Sequence, residues 1–162
     1  MKIGILAFDG CTASMIAGVL DILSFANSQH GPKEENGLFD VEIVTETGAA
    51  VNGFSRFAIQ AQRSIRTKSE FDLIYVPGFV GNLEDVLTKQ IKVIDWLRRQ
   101  YLKGVIMTAA CNGNFLLAET GALDGKRATT HWSLINAFRE RYKKVMVEPE
   151  KIVIDNGTVL SA

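Results

Sequence analysis

Three apolar runs, Lys2–Phe8, Phe71–Val76 and Val105–Ala110, restrict this chain to few folds. Each is too short for a typical helix and close to unbroken, the pattern of a strand covered on both faces. Strands of that kind belong to parallel sheets, whose crossovers are helices. Helical stripes lie where such crossovers are needed: Met15, Ile16, Val19, Leu20, Leu23 and Ala26 after the first run, then Leu83, Val86, Leu87, Ile91, Ile94, Leu97 and Tyr101 between the second and third. Gly104 closes the second stripe, so 71–110 reads as one strand–helix–strand unit with parallel strands and a right-handed crossover.

The remaining segments are shorter. Phe39–Val44 alternates like a strand with one solvent face, and Val51–Ile59 is a short hairpin or an irregular stretch. A polar connection, Ser28–Leu38, holds His30, a loop histidine with no partner motif. Ser133 is placed to cap a helix carrying Leu134, Ile135, Ala137 and Phe138. Val145–Val147 and Ile152–Ile154 are short strands, and Asn156-Gly157 signals a hairpin into Thr158–Leu160.

With 162 residues, 47% of them hydrophobic, the chain can bury one good core, and 1–162 reads as a single domain. A last strand with no helix after it leaves part of the sheet uncovered, so the domain is expected to be truncated at its C-terminal end. No stretch has the length of a membrane span and no leader precedes the first strand, which makes the cytoplasm the expected location. Eighteen basic and eighteen acidic residues cancel, excluding the strongly basic surface of a nucleic-acid-binding domain. The segment Arg139–Lys144 is read as a solvated helix end. Cys11 and Cys111 are expected as reduced thiols. No metal-ligand spacing is present, and neither metal nor cofactor is expected.

The chemistry concentrates at Val105–Ala118. A buried strand runs into Ala110-Cys111-Asn112-Gly113, and Phe115, Leu116 and Ala118 then follow at helical spacing. This strand–turn–helix pattern puts Cys111 on the turn, between the small residues Ala109 and Gly113, in the manner of a nucleophile elbow. Unpaired N–H groups at the start of the following helix would favour its thiolate. The other reading of a lone cysteine at a strand end is a small hydrophobe in the core. Asp21 stands off the apolar stripe of its helix; it is a solvated acid unless its small neighbours Ala17 and Gly18 let it approach a loop. Pro77-Gly78 ends a strand at the edge where open α/β sheets place ligands.

Two stretches taken together, Cys111–Gly121 and Leu123–Trp132 with its Thr129-Thr130-His131-Trp132 segment, resemble the ThiJ/PfpI superfamily. Within it they look most like the N-terminal domains of AraC-type transcriptional regulators, a likeness shared by Phe138–Tyr142 and the Ile154–Gly157 turn. The resemblance implies an α/β fold: a three-layer sandwich with a mainly parallel central sheet, flavodoxin-like and close to class I glutamine amidotransferases. It implies Cys111 at the nucleophile position, His131 near it, and Asp21 as the acid approaching from the first helix. Backbone N–H groups near Gly78 and after Cys111 would face an oxyanion. Gly78, Phe79, Asn112, Cys111 and His131 would then line a ligand pocket.

The departures from the family pattern bear on function. Met15–Val19 stands where hydratase-like members carry an acid followed by Gly-Pro. Asn112 replaces the histidine that follows the cysteine in peptidase-like members, and Phe79 replaces the second glycine of a Pro-Gly-Gly turn, narrowing the pocket while leaving its donors free. The favoured reading is a non-catalytic ligand-sensing and dimerisation domain: a homodimer, an unidentified small-molecule effector, and DNA bound only through a helix-turn-helix domain beyond residue 162. The alternative is a stand-alone enzyme, isonitrile hydratase-like or amidase-like, with Cys111 as nucleophile. A third reading makes Cys111 a redox sensor with Cys11 as its resolving thiol; two unrelated thiols are the simpler account.

Overall fold

In the computed structural model, which describes residues 1–29, 37–68 and 70–162, the first apolar run becomes β1 (Lys2–Leu6), and it lies inside a seven-stranded sheet. Ile5 and Leu6 are fully buried, as an unbroken apolar strand requires. The chain continues through α1 (Ala13–Gln29) to β2 (Asp40–Thr45), which pairs with β1 in parallel. A small hairpin of β3 (Val51–Asn52) and β4 (Ala58–Ile59) follows, and β5 (Arg63–Ser64) extends the sheet beside β2. Then come β6 (Leu73–Val76), α2 (Leu83–Lys89), α3 (Ile91–Leu102) and β7 (Ile106–Ala109). The chain ends with α4 (Gly113–Glu119), β8 (Arg127–Ala128), α5 (Ile135–Arg141), β9 (Met146–Val147), β10 (Ile154–Asp155) and β11 (Val159–Ser161).

The strand order is β10-β11-β7-β6-β1-β2-β5, and every pairing is parallel except β10 with β11. The fold is therefore α/β with a mostly parallel central sheet. After β1 the chain steps one way to β2, then returns to β6 and steps the other way to β7. Right-handed crossovers consequently place α1 and α2–α3 on opposite faces. The reversal puts the topological switch point between β1 and β6, at the carboxyl ends of the strands.

Several local expectations change. The stripe from Leu83 to Tyr101 is two helices, because Gln90 (φ −94°, ψ 15°) closes α2 and opens α3. The break re-aims the second helix: Ile91, on the stripe, is exposed, while Val93 and Trp96, off it, are buried. Residues 51–59 do form a hairpin, and the two-residue β5 carried too little pattern to be foreseen. Ser133 does not cap the helix after β8: α5 starts from Leu134 with no side-chain cap bond, and the cap lies one turn earlier, where the His131 ring nitrogen accepts from the Ser133 N–H at the start of a 3₁₀ turn, Trp132–Leu134. On α1 only Ile16 of the expected stripe is fully buried, and Ile22 and Phe25 are exposed. Asn156-Gly157 makes the expected hairpin, with Gly157 at φ 80°. His30 lies outside the described residues, as does most of its loop.

Candidate functional site

Cys111 stands at the exit of β7 with φ 57°, one of two non-glycine residues in the left-handed region among the described residues. A side chain there costs about 1–3 kcal/mol and persists only where the surroundings fix it. They do so through three groups. The Cys111 N–H donates to Ala162 O at 2.7 Å, and the Cys111 carbonyl accepts from Thr130 Oγ1 at 2.8 Å and Asn114 Nδ2 at 3.1 Å. Asn114 Nδ2 also donates to Ala162 O at 2.8 Å, so the end of β11 and the start of α4 are tied to the same turn. With both amide donors committed, Asn114 Oδ1 is left buried and without a partner among the described residues.

Gly113 makes the turn possible. A Cβ there would lie 2.6 Å from Pro77 O and 2.8 Å from Val76 O, closer than any side chain tolerates. Only glycine lets α4 start against the end of β6. The elbow expected at Cys111 is thus present, but its helix is short, seven residues.

The 77–79 loop meets the elbow from the other side. A Cβ on Gly78 would fall 3.1 Å from Cys111 Cβ, 3.0 Å from Asn112 Oδ1 and 3.0 Å from Met15 Sδ, so these groups share one small space. Asn112 binds the loop reciprocally: Phe79 N–H donates to its Oδ1 at 2.8 Å and its Nδ2 donates to Phe79 O at 2.9 Å. The Phe79 donor is therefore occupied, contrary to the expectation that the loop's donors stay free. The N–H groups of Gly78 and Asn112 have no hydrogen-bond partner among the described residues. Two unpaired donors beside a thiol can hold a carbonyl oxygen or a small anion.

Phe79 closes the switch point. It is buried, packs edge-on to Phe8 with ring centroids 6.0 Å apart, and forms a β-bridge with Cys11. Thr12 N–H donates to Gly78 O and Val80 N–H to Gly10 O, joining the exit loops of β1 and β6 where an open sheet would leave a crevice. Beneath them Cys11 is fully buried, and burial pushes its thiol above the ordinary value of 9.0. Both cysteines are free.

The other expected site residues do not converge on the thiol. Asp21 is exposed and makes no hydrogen bond or ion pair among the described residues. It lies six residues beyond Met15, roughly 9 Å along the helix axis, and Met15 is the α1 side chain at the elbow. The small neighbours of Asp21 thus bring it to no loop. His131 is half-buried, with Nδ1 2.8 Å from Ser133 Oγ and accepting from Ser133 N–H at 3.3 Å. Nδ1 is thus engaged by Ser133 and not free toward Cys111. Trp132, 79% exposed, lies over the ring with centroids 5.3 Å apart. What reaches the elbow from this segment is Thr130.

Sequence reasoning missed Met15, Asn114, Thr130 and Tyr75. Tyr75 pairs with Thr108 across β6 and β7; its phenol is pushed up by burial first and then by the charge of the nearby Cys111. Asn114 did leave a trace, as a polar residue in the otherwise apolar run from Gly113 to Ala118. Among the described residues no group of three or more His, Cys, Asp or Glu could hold a metal ion.

Comparison with known proteins finds the same fold. The DJ-1/PfpI family model matches residues 1–162. The chain belongs to the DJ-1/PfpI family. It is 27% identical over 157 residues to the HTH-type transcriptional regulator CdhR of Pseudomonas aeruginosa, an alignment that covers 97% of this chain and 44% of that protein. Among solved structures, a protein described as a transcriptional regulator from Vibrio parahaemolyticus superposes with a TM-score of 0.84 at 23% identity, covering 100% of this chain and 83% of that one. An AraC family transcriptional regulator from Pseudomonas putida gives a TM-score of 0.81 at 19% identity, covering 99% and 82%. Over nearly its whole length the chain is thus similar to transcriptional regulators, and it spans less than half the length of the curated ones it matches. No helix among the described residues is long and apolar enough to cross a membrane.

Proposed function

We propose that this domain is the ligand-sensing and dimerisation unit of an AraC-type transcriptional regulator, without catalysis of its own. In that reading DNA is bound by a helix-turn-helix domain that follows residue 162, and the protein works in the cytoplasm. The observation that supports it most is likeness along the whole chain to regulators more than twice its length. The elbow argues in the same direction. A base within hydrogen-bond reach activates the cysteine of many enzymes; here Asn112 stands where such a histidine would and ties Phe79, Nδ1 of His131 is engaged by Ser133, and Met15 fills the helix-1 position. What remains are the free N–H groups of Gly78 and Asn112, which suit reversible capture of a small molecule with a carbonyl or carboxylate oxygen.

The test is a thermal-shift screen of small carboxylates and amides on the wild type and on Cys111→Ser, with product analysis by mass spectrometry. The sensor reading expects a ligand that raises Tm in both proteins and is recovered unchanged. Turnover by the wild type that is abolished in Cys111→Ser would replace it with the enzyme reading.

A further inference from the structure

Asn114 is fully buried in the first turn of α4, on a helix whose other buried members are glycine or apolar. Its amide nitrogen donates to Cys111 O at 3.1 Å and to Ala162 O at 2.8 Å. Those two bonds fix which way the amide faces, because turned over its oxygen would meet two carbonyls. Oδ1 is then the one buried side-chain nitrogen or oxygen without a hydrogen-bond partner among the described residues. Such atoms are costly and few in folded proteins, so a donor belongs here.

The strand register says where that donor comes from. β11 runs parallel to β7 as far as Ala162, whose N–H donates to Ala109 O at 3.0 Å and whose carbonyl accepts from Cys111 N–H at 2.7 Å. In a parallel ladder a residue's carbonyl and the N–H two residues further on face the same neighbouring strand. The N–H two residues past Ala162 would therefore look next to the Cys111 carbonyl. That carbonyl has turned away with the elbow and already accepts from Thr130 Oγ1 and Asn114 Nδ2. The Asn114 amide, bonded to Ala162 O, stands in for the strand residue that β7 no longer supplies.

The same device holds backbone elsewhere in the molecule. Asn27 Nδ2 donates to Phe39 O at 2.7 Å while Phe39 N–H donates to Asn27 Oδ1 at 2.9 Å. Asn112 ties Phe79 in the same reciprocal way. In both, the two ends of one amide are taken up by main chain. Asn114 makes one half of such a clamp, on the last residue of β11.

We propose that Asn114 clamps the chain that follows Ala162, its Oδ1 accepting from the backbone N–H two residues beyond. The proposal rests on the reading that a DNA-binding domain follows residue 162, and names the point at which the connection is fastened. It also gives that reading a physical link. One side chain holds both the Cys111 carbonyl and the outgoing backbone, so a ligand that shifts the cysteine turn shifts the start of the connection with it.

Amide hydrogen exchange of the longer native polypeptide, read residue by residue by NMR, tests it on the wild type, on Asn114→Ala, and on Thr130→Val, which cuts another bond to the same turn and leaves the clamp. In the wild type and in Thr130→Val, the amide two residues past Ala162 is expected to exchange about a hundredfold more slowly than an unstructured one. In Asn114→Ala it should exchange about tenfold faster than in the wild type, while Met107 of β7, whose N–H donates to Thr158 O, stays protected. If Asn114→Ala does not fold, Asn114→Ser takes its place: its hydroxyl keeps a donor for the carbonyl three residues back and is too short to reach the outgoing chain. Free exchange of that amide in a wild type that binds DNA, as with a trapped water on Oδ1, overturns the clamp alone. Protection that persists without Asn114, or is lost equally in Thr130→Val, also overturns it. A native polypeptide that ends at Ala162 overturns the regulator reading and the clamp together.

Discussion

Cys11 and Cys111 leave the same edge of one sheet and end in opposite circumstances. Cys11 follows β1 into a loop bonded to the β6 exit on both sides of the Cys11–Phe79 bridge; it is fully buried and its thiol is pushed up. Cys111 follows β7 into a left-handed turn, partly exposed, with two unpaired N–H groups at hand. The residue type is the same, and what differs is the backbone. A thiol becomes available for binding where the chain is forced into a conformation that points it off the sheet, and it becomes packing where the loop folds back on its neighbour.

The contrast breaks most severely at Gly113, whose hydrogen faces Pro77 O and Val76 O. Gly113→Ala is expected to cost about 3 kcal/mol or more, a fall in Tm on the order of 10 °C, because the obstacle is backbone on both sides and α4 must move away from β6. A Tm within 2 °C of wild type would show that the elbow is not held as described. Asn112→Ala comes next. It removes both bonds to Phe79 at the partly exposed rim, costs about 1–2 kcal/mol, and frees the Phe79 N–H; hydrogen exchange at Phe79 should accelerate while that at β7 stays protected.

The third difference is the smallest and sharpens the two-thiol comparison directly. A thiol whose folded pKa is raised contributes stability in full below its ordinary value of 9.0, and loses it as pH climbs toward the folded value. Tyr75 and Tyr142, also raised by burial, act the same way above their ordinary value of 10.0. Stability should therefore decline from about pH 9, and in Cys11→Ala the decline should begin about a unit later. In Cys111→Ala it should begin where the wild type begins. Denaturant midpoints from pH 7 to pH 11 read this out.

The sheet was legible because its central strands are nearly unbroken apolar runs. β1, β6 and β7 lie within the three runs, and Asn156-Gly157 marked the β10–β11 hairpin through its backbone requirement alone. The break at Gln90 was not legible, since the stripe continues through it and only packing shows that Ile91 faces out. At the site, the left-handed turn and its neighbour Gly78 were foreseeable from small residues around one cysteine. The roles of the polar groups were not. Whether Asn112 opens a pocket or ties a loop, and whether His131 serves the thiol or caps its own turn, depends on partners 33 and 2 residues away in sequence, and spacing carries no record of that choice. Asp21 misled because an acid near small residues resembles a functional one, while helix geometry assigns the elbow to Met15.

The most direct test of the regulatory account is the intact mass of the native polypeptide recovered from its source cells, set against the 17.8 kDa of this chain. The account predicts a product heavier by a whole additional domain, able to bind DNA when purified. A native product of about the same mass as this chain, or heavier only by one more helix, would contradict it and return Cys111 to consideration as a nucleophile.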